Sequence, residues 1–105
     1  MDQLEKDIFE IIVNAGQGKS YVYEALADAE EGKFENIDET YKKADEYFNK
    51  AHNIQTRLMQ DEMNEDSKYV SLLMVYAQDQ LMTALESRDL IKSLIKMYEK
   101  IYEQK

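Results

Sequence analysis

Apolar side chains recur at steps of three and four residues along almost the whole of this 105-residue chain, and no proline interrupts them. That spacing lines one face of a helix, and proline is the residue a helix interior tolerates least. With only three glycines as well, the chain reads as all-α. Leu4, Ile8, Ile11, Ala15, Gly18, Val22, Ala25 and Ala29 predict a first helix over about 3–31, stopped at Gly32. Ile37, Tyr41, Ala44, Phe48, Ala51, Gln55 and Leu58 predict a second over about 34–61. The acidic stretch "DEMNEDSK" at 61–68 has no apolar period and reads as a loop. A third helix is expected over about 69–103. Although 33% of the residues are charged, the ordered apolar spacing assigns them to solvated helix faces rather than to disorder. The expectation is one domain, residues 1–105, folded as an antiparallel three-helix bundle around a single modest core.

The third helix has more apolar surface than such a bundle can use. One seam runs through Val70, Leu73, Ala77, Leu81, Ala84, Ile91, Leu94, Tyr98 and Ile101. A second stripe passes through Leu72, Val75, Asp79 and Met82, with the aspartate at its centre. Beside it lies a polar row, Tyr76, Gln80 and Thr83. A helix that is apolar on two faces is buried on two sides, and one small chain cannot cover both. Self-association covers the second.

Charge and composition narrow the partners. Twenty-two acidic residues against 13 basic leave a net charge of −9, which repels a phosphate backbone, so nucleic acid is not expected as a partner. Without cysteine there is no disulfide, thiolate zinc site or thiol nucleophile. The start "MDQLEKDIFEIIV" lacks the basic segment and cleavage site of a signal peptide. The apolar run "VSLLMV" is too short to span a bilayer. A cytoplasmic protein with no direct membrane insertion is expected.

Four segments stand out: "NAGQGKS" at 14–20, "EGKF" at 31–34, "AHNIQTRL" at 51–58 and "AQDQLMTA" at 77–84. Together they resemble the enzyme IIA component of the lactose/cellobiose family in the phosphoenolpyruvate-dependent sugar phosphotransferase system (PTS). The family's pattern at the last of these reads V-H-A-Q-D-H-L-M. The resemblance implies a homotrimer of three-helix subunits that takes a phosphoryl group from the carrier HPr and passes it to a IIB component, on the way to a β-glucoside, chitobiose or lactose-type sugar. It implies that the first histidine of the pattern is the phosphoryl acceptor. It also places the aspartate, here Asp79, at the trimer axis, where it can hold a cation such as Mg²⁺. The chain departs from the pattern at the acceptor, which is Tyr76, and at the second histidine, which is Gln80.

Those departures fall on the residues that carry the chemistry. A neutral imidazole attacks phosphorus near physiological pH and gives an N–P bond that can be passed on. A phenol is ordinarily protonated there, and its phosphate ester is a poor donor. Gln80 can hydrogen-bond an anion but cannot become cationic. His52 is the only histidine, and the family has a histidine there that is not its acceptor. Gly18-Lys19-Ser20 echoes the end of a phosphate-binding loop, yet the glycine such a loop needs five positions earlier is Val13, and no strand precedes it. Close helix packing explains those small residues better. Three Asp79 carboxylates meeting on an axis would have to bind a cation, share protons or keep water, and an all-oxygen site favours a hard cation.

Three readings stay open in the sequence. The first is a IIA-type trimer that no longer relays phosphate and acts as a binding or regulatory protein. The second is a competent phosphocarrier between HPr and IIB that uses His52 or Tyr76. The third is a helical protein retained for assembly alone.

Overall fold

The computed structural model describes residues 2–64 and 71–105. The elements are α1 (Gln3–Glu30), α2 (Ile37–Asn64) and α3 (Leu72–Glu103), forming a rod 60 × 19 × 19 Å. Helix α1 packs along both of the others, whereas α2 and α3 touch sparingly. The order of contacts fixes the directions. Asp7 at the start of α1 meets Arg57 late in α2, and the end of α1 meets the end of α3, where the Tyr102 hydroxyl donates to Glu30 O at 2.9 Å. Helix α2 is therefore antiparallel to its neighbours, and α3 runs parallel to α1.

Local chemistry sets the boundaries. Asp2 caps α1 by accepting from Glu5 N at 2.8 Å. At the other end Gly32 takes φ +77, a conformation that costs an L side chain. Gly32 N–H donates to Ala29 O at 3.0 Å and Lys33 N–H to Asp28 O at 2.9 Å, the paired bonds of a Schellman stop. That turn places residues 34–36 outside the helix, so α2 begins at Ile37 rather than near 34. It also continues to Asn64, which corrects the loop expected from residue 61; the remainder of that loop lies outside the described residues. Ser71 caps α3 by accepting from Met74 N at 3.0 Å, so α3 starts at Leu72 rather than near 69. Tyr69 and Val70, expected in that helix, lie outside the described residues.

The core follows the expected seams with four corrections. Leu4 is exposed near the free end of α1, and on α3 Leu94 and Ile101 point outward while Ile95 is buried. The steps Ala84, Arg88, Ile91, Ile95, Tyr98, Tyr102 alternate four and three without a break. Arg88 was hidden from the apolar pattern because it is charged, yet it occupies a seam position. Its guanidinium reaches Asp45 on α2 at 3.3 Å and Asp89 at 2.9 Å, and lies 5.8 Å from the centre of the Phe48 ring. Its aliphatic stem can cover apolar surface while the charged head stays paired. Next to it the Tyr41 hydroxyl donates to Arg88 O at 3.0 Å.

Small residues let α1 lie close to α2. A Cβ added at Gly18 would meet the Phe48 ring at 2.5 Å, too close for the ring to remain where it is. The Gly18-Lys19-Ser20 segment is thus helical, and its glycine makes room for a core aromatic. Asp7, mostly buried, accepts from Gln3 Nε2 at 2.9 Å and faces Arg57 Nη2 at 3.2 Å. The Arg57 hydrogen bond, and after it that of Gln3, holds its carboxyl below the usual range.

Candidate functional site

The first three turns of α3 carry the candidate site. Tyr76 and Gln80 are one turn apart on the same side of the helix, and Asp79 lies on the adjoining stripe. Tyr76 is 51% exposed, Gln80 is half-buried and Asp79 is exposed. Thr83 extends the row, but its hydroxyl donates back to Asp79 O at 2.8 Å and Gln80 O at 3.2 Å. It is therefore committed to the backbone rather than offered to a ligand.

Around Tyr76 the surface forms an open groove of about 680 Å³ lined by Leu72, Leu73, Val75, Tyr76 and Asp79. All five belong to α3. Among the described residues of one protomer the groove is lined by α3 alone, and its polar side chains there are the Tyr76 phenol and the Asp79 carboxylate. No imidazole lines it. His52 stands exposed on α2 and is not among the groove residues.

The stripe containing Asp79 is bare. Leu72 is 86% exposed and Met82 66%, as expected of a face with no partner within the chain. It also runs further than the sequence reading followed it. Leu90, Leu94, Met97 and Ile101 are exposed on the same side of α3, so the apolar outer face spans the whole helix. Their spacing of four, three and four was available in the sequence, but two of these residues were assigned to the inner seam. On α1 a further outer row was missed. Phe9, Val13 and Tyr23 are exposed, and Gly16 between them has nothing within 4 Å of an added Cβ. The exposed residues described on α2, in contrast, are charged or polar apart from Met59.

As a metal centre, one protomer is insufficient. Among the described residues no three His, Asp or Glu side chains gather, and Asp79 supplies a single carboxylate. The donor chemistry suits a hard cation only if other copies bring their own Asp79 to the same point.

Fold and groove together define a helical-bundle protein whose candidate site lies on the outside of one helix rather than in an enclosed pocket. The cellobiose-specific enzyme IIA of Bacillus anthracis has this architecture, superposing with a TM-score of 0.94 at 36% identity over 100% of this chain and 96% of that one. The IIA protein of the Escherichia coli N,N′-diacetylchitobiose branch, solved as a complex with HPr, superposes with a TM-score of 0.85 at 35% identity, covering 97% of this chain and 99% of that one. In sequence, the lichenan-specific phosphotransferase enzyme IIA component of Bacillus subtilis is 40% identical over 104 residues, 99% of this chain and 94% of that protein. The chain belongs to the lactose/cellobiose-specific IIA family of the PTS, whose family description, "PTS system, Lactose/Cellobiose specific IIA subunit", matches residues 6–99. No helix among the described residues is long and apolar enough to cross a membrane.

Proposed function

We propose that this chain is a cytoplasmic PTS IIA-type trimer of a cellobiose-, lactose- or β-glucoside-type system that does not relay phosphate at residue 76 and acts by binding. The observation that carries the reading is the groove on α3. Its packing residues, Asp79 and the flanking Ala77-Gln78 fit a IIA site, while the two positions that need imidazole hold Tyr76 and Gln80. An intact docking surface without the acceptor holds the protein in the equivalent of its unphosphorylated form. The partners it fits are an HPr-like carrier, as in the related chitobiose complex, and a IIB component. On a threefold axis three Asp79 side chains would present an all-oxygen set for Mg²⁺ or a similar ion.

The test is chemical. Incubation with phosphoenolpyruvate and the general PTS proteins, followed by mass spectrometry under mildly alkaline conditions that preserve phosphohistidine, should show no phosphoryl adduct. The Tyr76→His variant should gain one, at residue 76, because the helix and groove around it are unchanged. Adding Gln80→His should speed the labelling if a second imidazole helps to neutralise the incoming group. A stoichiometric adduct at His52 in the unaltered protein would show a competent carrier instead. Absence of labelling together with no affinity for HPr or IIB would leave a protein of assembly alone.

A further inference from the structure

Helices α2 and α3 touch sparingly while both lie along α1, and the furrow left between them holds a cavity of about 270 Å³ lined by residues of α2 and α3 alone. Ile37, Tyr41 and Ile95 form its floor. They are 6, 8 and 3% exposed, so little apolar surface remains there for a peptide or helix to cover. The Tyr41 hydroxyl is committed to Arg88 O, which leaves recognition to the walls. Lys92, Lys96 and Glu99 each follow a residue of the bare stripe, Leu90, Leu94 and Met97, by two positions, about 200° around the helix. The furrow therefore opens on the far side of α3 from the stripe.

The walls carry three ammonium groups, Lys42, Lys92 and Lys96, and three carboxylates, Asp38, Asp45 and Glu99. Among the described residues Asp45 pairs with Arg88 at 3.3 Å, and none of the other five has an opposite charge within 4 Å. The Lys92 ammonium sits 5.9 Å from the centre of the Tyr41 ring. The charges are interleaved rather than sorted by sign: Lys42 lies between Asp38 and Asp45 on α2, and Glu99 follows Lys92 and Lys96 on α3. An anionic ligand would meet three carboxylates there, and an organic cation three ammonium groups. The chemistry that satisfies both is a ring of hydroxyls, each able to donate to a carboxylate and to accept from an ammonium.

We propose that the furrow between α2 and α3 binds an uncharged sugar, one ring at a time, in a cavity just below the range of about 300–1,000 Å³ usual for small-molecule sites. Its hydroxyls donate to Asp38 and Glu99 and accept from Lys92 and Lys96, while its C–H face rests on Tyr41 and Ile95. Each such hydrogen bond replaces one to water, so the net gain per contact is small and the affinity weak. The inference goes beyond the phosphate reading and is independent of it, since neither Tyr76 nor Asp79 lines the furrow.

Amide NMR spectra of the full chain titrated with glucose, and separately with phosphate and with putrescine at equal concentration and ionic strength, provide the test. Glucose should shift the amides of residues 37–45 and 92–99, with half-saturation at about 1–10 mM, and should move them more than either ion does. Lys96→Met removes a donor and Glu99→Ala an acceptor, both from exposed side chains, and each should weaken glucose binding by about tenfold. Lys50→Met, whose ammonium lies over Tyr47 outside the furrow, should leave it unchanged. The proposal is overturned by the absence of a saturable glucose shift, by larger shifts with phosphate or putrescine, by furrow variants that bind like the unaltered chain, or by equal weakening in Lys50→Met. None of these outcomes bears on the labelling of residue 76, so the two readings can fail separately.

Discussion

Tyr41 shows how one side chain in this bundle can be read in both directions, from environment to titration and from titration to stability. Burial pushes its hydroxyl up to about 12 from an ordinary 10, the Asp45 carboxylate adds to the shift, and Arg88 partly offsets it. The folded state thus holds the protonated phenol more firmly than the unfolded chain does. Its contribution is fully present below pH 10 and is lost as pH rises from there toward 12. In Tyr41→Phe that part of the alkaline loss should disappear, so chemical-denaturation curves of the two proteins should converge between pH 10 and 12. At neutral pH the variant should be less stable by about 1 kcal/mol, because the hydrogen bond to Arg88 O is gone. A steeper alkaline loss in Tyr41→Phe would show that the phenol is not the group responsible. The same residue-level reasoning applies to Tyr76. Its spacing placed it on a polar row, but only the resemblance to a histidine-bearing pattern gave that row a chemistry. Periodicity reports which way a side chain points and says nothing of the chemistry it performs.

Among the elements, the contact between α1 and α2 is the most demanding of its sequence. At Gly18 an added methyl would overlap the Phe48 ring, with the nearest ring atoms at 2.5, 2.7 and 2.8 Å. Gly18→Ala gains helix propensity but must displace a fully buried aromatic. Overpacking should win, with a net loss of about 1–3 kcal/mol in urea unfolding. Gly16→Ala, on the open side of the same helix, should instead stabilise by up to about 1 kcal/mol. If the two variants shift stability alike, α1 and α2 do not approach as closely as described. The spacing put Gly18 on the inner seam and left Gly16 off it, but it did not show that a core ring would press against Gly18. The seams were otherwise legible because steps of three and four are hard to produce by chance over 28 residues. They failed where two apolar residues competed for one place, as Leu94, three residues after Ile91, and Ile95, four after it, do. They failed also where a charged residue, Arg88, took a core position, and at the helix ends, which depend on caps and turns more than on periodicity.

For the molecule as a whole, the outer face of α3 is the feature that a single chain leaves unfinished. Light scattering at micromolar concentration should report three times the protomer mass of 12.4 kDa. Met82→Glu, which inserts a charge at 66% exposed Met82, should shift the population toward monomer without unfolding it, since that side chain contributes nothing to the internal core. A monomeric unaltered protein would mean that the stripe is covered by something other than itself.

The unequal contacts of α1 bear on the order in which the structure can be made. Helix α2 follows α1 through a short turn, so the two can fold as a local hairpin as soon as both have left the ribosome. Helix α3 has little of α2 to hold and must find its place along α1, some seventy residues upstream, where the Tyr102 hydroxyl finally closes onto Glu30. Such a distant pairing is slower to form than the hairpin. Of the three helices, the one that bears the groove and the bare stripe is synthesised last and is expected to dock last. A chain that ends before α3 has neither the groove nor the bare apolar stripe.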